Sequence, residues 1–203
     1  MSGALRWGDE APDDPEGARG RLLDAAERCF ARFGIAKSTV EDIAREASVS
    51  RATVYRYFTG RDAVVSGVIL RETERYLDRV RPRVNAQPDL GSAVLEFVDV
   101  TLRAAQRDEI IGLLFTSHDG LNAVGIFEGT SRVLFDMVSA FFTPIFDAHA
   151  SEVRPGVDAD DAAEWILRVT LSLLTVGGPK HRTRSGVRAY LRSYLLPPII
   201  GIP

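Results

Sequence analysis

The stretch from Ser38 to Asp62, STVEDIAREASVSRATVYRYFTGRD, constrains the fold of this chain more than any other feature. Apolar residues in its first half recur at helical spacing, at Val40, Ile43, Ala44 and Ala47. Thr39 precedes them, and Glu41 and Asp42 lie in the first turn, which is a favourable start for a helix. The pattern predicts a short helix with one face packed inward.

A second short helix is predicted directly after the first. Ser48-Val49 forms the turn, and the apolar side chain of Val49 is expected to fill the space beneath it. Ser50 caps a helix that runs to about Phe58. Val54 and Phe58 lie four residues apart and face the core. The residues predicted to face outward are Arg51, Ala52, Thr53 and Arg56. Two short helices joined by such a tight turn form a helix-turn-helix.

The outward residues have the chemistry that reading DNA requires. Arginine makes bidentate contacts to guanine, threonine contacts base edges and the thymine methyl, and alanine allows close approach. Tyrosine hydroxyls, Thr39 and Arg61 can reach phosphate oxygens. A solvated helical hairpin explains any one of these residues, but the whole set in this order favours DNA binding. The predicted contacts are Thr39, Ser50, Arg51, Ala52, Thr53, Tyr55, Arg56, Tyr57 and Arg61.

The segment from about Arg21 to Val65 resembles the DNA-binding domain of the TetR family of bacterial transcriptional regulators. The matching residues are Ala25-Ala26, Phe30, Phe33-Gly34, Thr39-Val40, Ile43-Ala44, Val49-Ser50, Thr53-Val54-Tyr55, Tyr57-Phe58 and Arg61-Asp62. The chain departs from the family at Ser48, usually Gly, at Ala52, often Gly or Pro, and at Arg61, usually Lys. The resemblance therefore implies a left-handed backbone at Ser48, which is costly for a non-glycine residue.

Charge is distributed unevenly along the 203 residues. The net charge is −3, yet residues 18–62 carry nine basic and six acidic side chains. A locally basic segment in a mildly acidic protein fits binding to a specific DNA site. Residues 1–16 are rich in acids and contain Pro12 and Pro15, so we expect a disordered acidic tail. The single cysteine, Cys29, is predicted to be a small buried hydrophobe.

Beyond the helix-turn-helix the pattern stays helical, and no convincing strand pair appears. Pro82 and the Asn85–Pro88 stretch are expected to end one helix, and Pro144 is expected to kink or split another. The predicted helices cover about 62–81, 89–107, 109–117, 127–150, 158–176 and 184–196. The prediction is an all-α protein of about nine helices: a tail (1–16), a three-helix DNA-binding domain (17–62) and a ligand-binding and dimerisation domain (63–203).

For residues 63–203 the resemblance implies an effector pocket between helices and a four-helix dimer interface built from 158–176 and 184–196. Most large apolar residues there are expected to form the core. The residues predicted for an apolar ligand wall are Phe115, Phe127, Phe135 and Trp165, with His118 and Asn122 as polar anchors. A long-chain acyl compound or an aromatic molecule suits such a wall.

The predicted function is a dimeric, sequence-specific transcriptional regulator, a repressor of operator DNA that a small hydrophobic effector releases. No phosphate loop, nucleophile elbow or metal-spaced cluster is present in the sequence, so no enzyme, cofactor or metal is predicted. With no signal peptide or spanning segment, a cytoplasmic location is expected. The alternatives are a helical adaptor or structural protein, or a small helical enzyme, neither binding DNA. The effector could also be a corepressor, or absent.

Overall fold

The structure is a computed structural model, and it describes residues 14–107, 123–176, 178 and 182–201, without the side chains of residues 123–131. The chain divides into two compact units, Met1–Arg71 and Glu72–Pro203. The described helices are α1 (Pro15–Phe33), α2 (Val40–Glu46), α3 (Arg51–Tyr57), α4 (Arg61–Asn85), α5 (Leu90–Ala105), α6 (Ala123–Ala148), α7 (Ala159–Thr175) and α8 (Arg184–Tyr194).

The predicted all-α class is confirmed. The part of the chain that the structure describes contains eight helices, and its β pairing is limited to one isolated bridge between Val153 and Ile200. The helix predicted at 109–117, its break at His118–Gly120 and residues 1–13 of the expected tail lie outside the described residues. In the described helices we find no segment long and apolar enough to cross a membrane.

The first unit begins with α1, whose first residue is Pro15 rather than the predicted Gly17. Asp14 accepts a hydrogen bond from the backbone N–H of Gly17, so it caps the helix. Proline at the first helical position lacks only an N–H that would have no partner there anyway. The last two residues assigned to the tail are therefore part of α1.

One apolar core joins the helices of the first unit. At most 1% of the surface of its central side chains is exposed: Leu22, Ala25, Ala26, Ile43, Val54, Val64 and Val68. Gly67 of α4 lies close to the side chains beneath it, because an added Cβ would be 2.9 Å from Leu23 Cδ2 and 3.2 Å from Phe58 Cε1. Cys29 is buried as predicted.

The turn between α2 and α3 has the backbone that the sequence implied. Ser48 has φ 56°, the single left-handed non-glycine residue among those described. The N–H of Val49 donates to the carbonyl of Ala44 at 2.9 Å, which closes the turn, and the Val49 side chain is buried. The chain therefore reverses here at the cost of one strained serine.

The second unit is built around an aromatic cluster. Phe97 of α5 packs against Phe141 and Phe142 of α6 with ring centres 5.3 and 4.9 Å apart. Asp89 caps α5 by accepting from the N–H of Ser92, and Asp158 caps α7. The segment after α8 is fixed to the loop after α6 by backbone hydrogen bonds that Arg154 and Gly201 donate.

The predicted end at about Arg81 is too early, because α4 continues through Pro82 and ends at Asn85, where the Asn85–Pro88 stretch begins. A proline within a helix removes the hydrogen bond to one carbonyl, and the residues after it can still be helical. Val84 in the last turn is fully buried, which favours continuing the helix. Pro144 likewise lies within α6 without splitting it, and buried Phe142 and Ile145 flank it.

Replacing Ser48 by glycine is expected to raise the free energy of unfolding by up to about 1 kcal/mol. Glycine removes the left-handed strain, and its greater freedom in the unfolded chain offsets part of that gain. The matched control is Ser66→Gly within α4, which should lower stability by about 0.5 kcal/mol. Urea unfolding followed by circular dichroism measures the free energy of unfolding of both variants. A lower free energy of unfolding in Ser48→Gly than in the wild type would contradict backbone strain at Ser48.

Candidate nucleic-acid interface

The start of α2 is fixed by a capping box. Thr39 Oγ1 accepts a hydrogen bond from the Asp42 N–H at 3.2 Å, and Asp42 Oδ2 accepts from the Thr39 N–H at 3.1 Å. The Thr39 hydroxyl also donates to Asp42 Oδ2 at 2.6 Å. These hydrogen bonds lower the pKa of Asp42, with nearby Arg45 adding a smaller effect. Thr39 is exposed and oriented by its cap.

The start of α3 is fixed by a second cap, which corrects one prediction. Ser50 Oγ accepts from the Thr53 N–H at 3.1 Å and lies 3.0 Å from Thr53 Oγ1. Thr53 is only 9% exposed, so the prediction that it faces outward is wrong. Its position in the first turn lets its hydroxyl share the cap with Ser50, which draws the side chain toward the turn.

The outer face of α3 consists of Arg51, Ala52, Tyr55 and Arg56, all exposed. For Arg51, Ala52 and Arg56 this confirms the predicted outward orientation. The Arg56 guanidinium lies 4.9 Å from the ring centre of Tyr57. Tyr57 itself is half-buried. The face thus presents two arginines and one tyrosine around a small residue, a surface that can enter a DNA groove.

Sequence reasoning missed Arg19 of α1, which anchors the end of α3. Arg19 Nη1 donates to the carbonyl of Tyr57 at 3.0 Å, and its guanidinium lies 4.2 Å from the ring centre of Phe58. The charge satisfies a carbonyl at the helix C-terminus and stacks on the ring. Nothing in the local pattern around Arg19 distinguishes it from a solvated arginine, because its partners are distant in sequence.

Arg61 is engaged within the protein. Its Nε donates to the Ser38 carbonyl at 2.8 Å, and its Nη2 donates to the Ile35 carbonyl. Only 24% of the side chain is exposed. Arg61 therefore braces the connection between α1 and α2 that leads to Thr39. Its predicted phosphate contact stays a prediction, and the geometry adds a structural role that the sequence did not reveal.

A second undetected brace joins α4 to α1. Arg71 Nη1 lies 2.8 Å from Asp24 Oδ1 and donates to the Gly20 carbonyl at 3.1 Å. Arg71 Nη2 lies 2.6 Å from Glu27 Oε1. The arginine side chain is mostly buried, so removing one partner would leave a charge poorly compensated. This ion-pair cluster fixes α4 against α1 within the first unit.

The predicted ligand wall is only partly described. Phe115, His118 and Asn122 lie outside the described residues, as does the Phe127 side chain. Phe135 is half-buried, beneath the Arg168 guanidinium at 5.2 Å from its ring centre. It lines an open depression with acidic neighbours Asp136, Asp160, Asp161 and Glu164. Trp165 is 40% exposed, with Nε1 donating to the Leu195 carbonyl. Among the described residues, neither aromatic lines an enclosed apolar cavity, and the apolar wall stays a prediction.

Comparisons with known proteins agree with this architecture. Residues 22–68 match the family model described as bacterial regulatory proteins, tetR family. An uncharacterised HTH-type transcriptional regulator, MT2310 of Mycobacterium tuberculosis (strain CDC 1551 / Oshkosh), is 31% identical over 158 residues, covering 76% of this chain and 79% of that regulator.

Two solved structures share the fold. The TetR family repressor AlkX of Dietzia sp. strain DQ12-45-1b, implicated in biodegradation of n-alkanes, superposes with a TM-score of 0.64 and 20% identity over 93% of this chain and 97% of that one. The transcriptional regulator FadR of Bacillus subtilis, in complex with stearoyl-CoA, superposes with a TM-score of 0.55 and 16% identity over 89% and 98%.

Arg61→Ala is expected to lower the free energy of unfolding by about 1–3 kcal/mol, because two carbonyls lose a charged donor. The control is Arg56→Ala on the exposed face of α3, which should change it by less than about 0.5 kcal/mol. Urea unfolding measures both. Equal stability of the two variants would contradict the bracing role of Arg61.

Proposed function

The chain belongs to the TetR family and is a DNA-binding transcriptional regulator; on that premise, we propose that it is a homodimeric repressor released from its operator by a small apolar effector. The observation that carries the proposal is the exposed face of α3. Caps at Thr39 and Ser50, the close contact at Gly67 and the Arg19 anchor hold this face rigidly on the first unit.

A protein reads a DNA sequence only when its base-contacting side chains are held in a fixed position relative to the base pairs. The rigid attachment of α3 meets that requirement. We propose that α3 enters the major groove, with Arg51 reading guanine, Ala52 allowing close approach and Arg56 at the groove edge. Residues proposed to hold phosphates are Thr39, Ser50, Tyr55, Tyr57 and Arg61. Thr53 is left out of the base-reading set because it is only 9% exposed.

Arg51→Ala is expected to weaken binding to the preferred site by about 1–3 kcal/mol and to relax specificity at one base pair in each half-site. Selection from random duplexes, followed by fluorescence anisotropy, measures both effects. The preferred site should be two-fold symmetric, with half-site centres about 10 bp or a multiple apart. A loss that is equal for all sequences would assign Arg51 to phosphate contact instead.

Exposed apolar side chains near α7 and α8 support the proposed dimer. Tyr194 and Val176 are both 66% exposed, and the ring of Tyr194 packs 4.9 Å from that of Tyr190. Leu167 and Leu191, also predicted for the interface, are buried in the protomer core. Of the other residues predicted for the interface, Trp165 is 40% exposed, and Leu171, Leu174, Val187 and Tyr190 are half-buried. Pairing two copies of this surface would cover aromatic and aliphatic groups now in contact with water.

Val176→Glu and Tyr194→Glu are each expected to convert the dimer to a folded monomer, because the new charge would be buried without a partner. The matched control is Val133→Glu on α6, another exposed valine, which should leave the dimer intact. Light scattering gives the mass, and circular dichroism verifies folding. Folded, dimeric Val176→Glu and Tyr194→Glu variants would exclude this interface.

For the effector we propose a largely apolar molecule, with long-chain acyl compounds screened first. Support comes from the FadR structure, which was obtained with stearoyl-CoA, and from the stated role of AlkX in n-alkane degradation. The effector must bind the DNA-free conformation more tightly, because equal affinity for both conformations shifts nothing. Residues 108–122, with Phe115, His118 and Asn122, remain the proposed contact region.

The effector is expected to bind less tightly when operator is saturating, by the same factor by which it weakens DNA binding. Isothermal titration of palmitoyl-CoA and of an aromatic drug panel, with and without operator, measures this coupling. A compound that binds equally well in both titrations is not the effector that controls DNA release.

A further inference from the structure

The outer face of α3 has one carboxylate partner from the neighbouring helix. Glu41, the second residue of α2, places Oε1 2.7 Å from Nη1 of Arg51, the first residue of α3. The pair crosses the helix-turn-helix on its exposed side, and about half of each side chain is in contact with solvent. The ion pair with Glu41 therefore holds Arg51, the residue that we propose reads a base.

Stability does not explain this pair. Solvent-exposed ion pairs contribute little to folding, because water screens the attraction and ordering two long side chains costs entropy. The two helices are already fixed by the Ser48 turn, buried Val49 and the Ser50 cap. The first-turn position of Glu41 favours the start of α2, but that role needs no contact with Arg51. The ion pair itself is therefore better explained by what it does to Arg51.

We infer that Glu41 is a positioning residue that sets the specificity of this regulator by orienting Arg51; this inference rests on the proposed DNA-binding role of α3. A free arginine loses considerable rotamer freedom when it docks on a base. A carboxylate that holds one edge of the guanidinium removes part of that cost in advance and leaves other N–H groups for guanine O6 and N7.

The charge of Glu41 has a second effect on the same surface. Helix α3 carries Arg51 and Arg56 and no acidic residue, so unpaired it would attract the phosphates of any DNA sequence. Glu41 neutralises one of these charges and repels phosphates that approach it. The pair therefore lowers sequence-independent affinity while it keeps Arg51 oriented for guanine, and both effects raise specificity.

The test compares Glu41→Gln with Glu46→Gln in the full-length protein. Glu46, the last residue of α2, forms an ion pair of similar exposure with Arg28 of α1, Nε to Oε1 2.6 Å. Both variants remove one charge from α2 and weaken one exposed ion pair, but only Glu41 contacts α3. Base preference is measured by selection from a random duplex pool, and nonspecific affinity is measured with one noncognate duplex across a salt series.

Glu41→Gln is expected to reduce discrimination at the base pair read by Arg51 about tenfold, within the roughly 5- to 150-fold that one bidentate arginine contact provides. Its affinity for the noncognate duplex should rise, with a salt slope steeper by up to about 0.9 per subunit. Glu46→Gln should match the wild type in both measurements. An unchanged Glu41→Gln, or an equal effect of Glu46→Gln, would overturn the inference.

The Arg51→Ala background separates an indirect from a direct role. If Glu41 acts through Arg51, adding Glu41→Gln to Arg51→Ala leaves base preference unchanged. A further change of preference in the double variant would show that Glu41 contacts a base itself and would overturn the positioning role. A wild-type protein that selects no sequence at all would instead refute the proposed function, so the two failures are distinguishable.

Discussion

The close contact of α4 with Leu23 and Phe58 at Gly67 is the constraint on which the interface depends. Because glycine has no side chain, α4 packs against both residues at distances where a Cβ would force Leu23 and Phe58 to shift. Phe58 ends α3, so this contact fixes where that helix points, and Arg19 secures the same corner by stacking on the Phe58 ring. The exposed face of α3 is therefore held by packing beneath it, which leaves its outer side chains available for function.

Five arginines of the first unit fall into two groups that the composition does not distinguish. Arg19, Arg61 and Arg71 satisfy backbone carbonyls or carboxylates and act as internal braces. Arg51 and Arg56 lie on the outer face of α3. A local excess of positive charge thus overstates the charge that faces DNA, because part of it holds the helices together.

Local signals predicted much of this architecture. The helix starts at Thr39 and Ser50 and the apolar spacing around Ile43 depend on residues within a few positions, and the structure confirms them. What sequence reasoning missed depends on partners distant along the chain. Arg61 meets carbonyls 23 and 26 positions away, and burial of Val84 lets α4 continue past Pro82. Thr53 turned inward because its hydroxyl shares a cap, a choice that helical periodicity alone does not resolve.

Burial of the single cysteine makes the chain a natural background for site-directed spectroscopy. Desolvation raises the pKa of Cys29, and the carboxylates of Glu46 and Asp42 raise it further, so the reactive thiolate is scarce as well as shielded. A cysteine introduced at exposed Thr59, just beyond α3, would therefore take a spin label selectively. In a two-fold assembly, one such label per subunit would report directly on the spacing of the two α3 helices in solution.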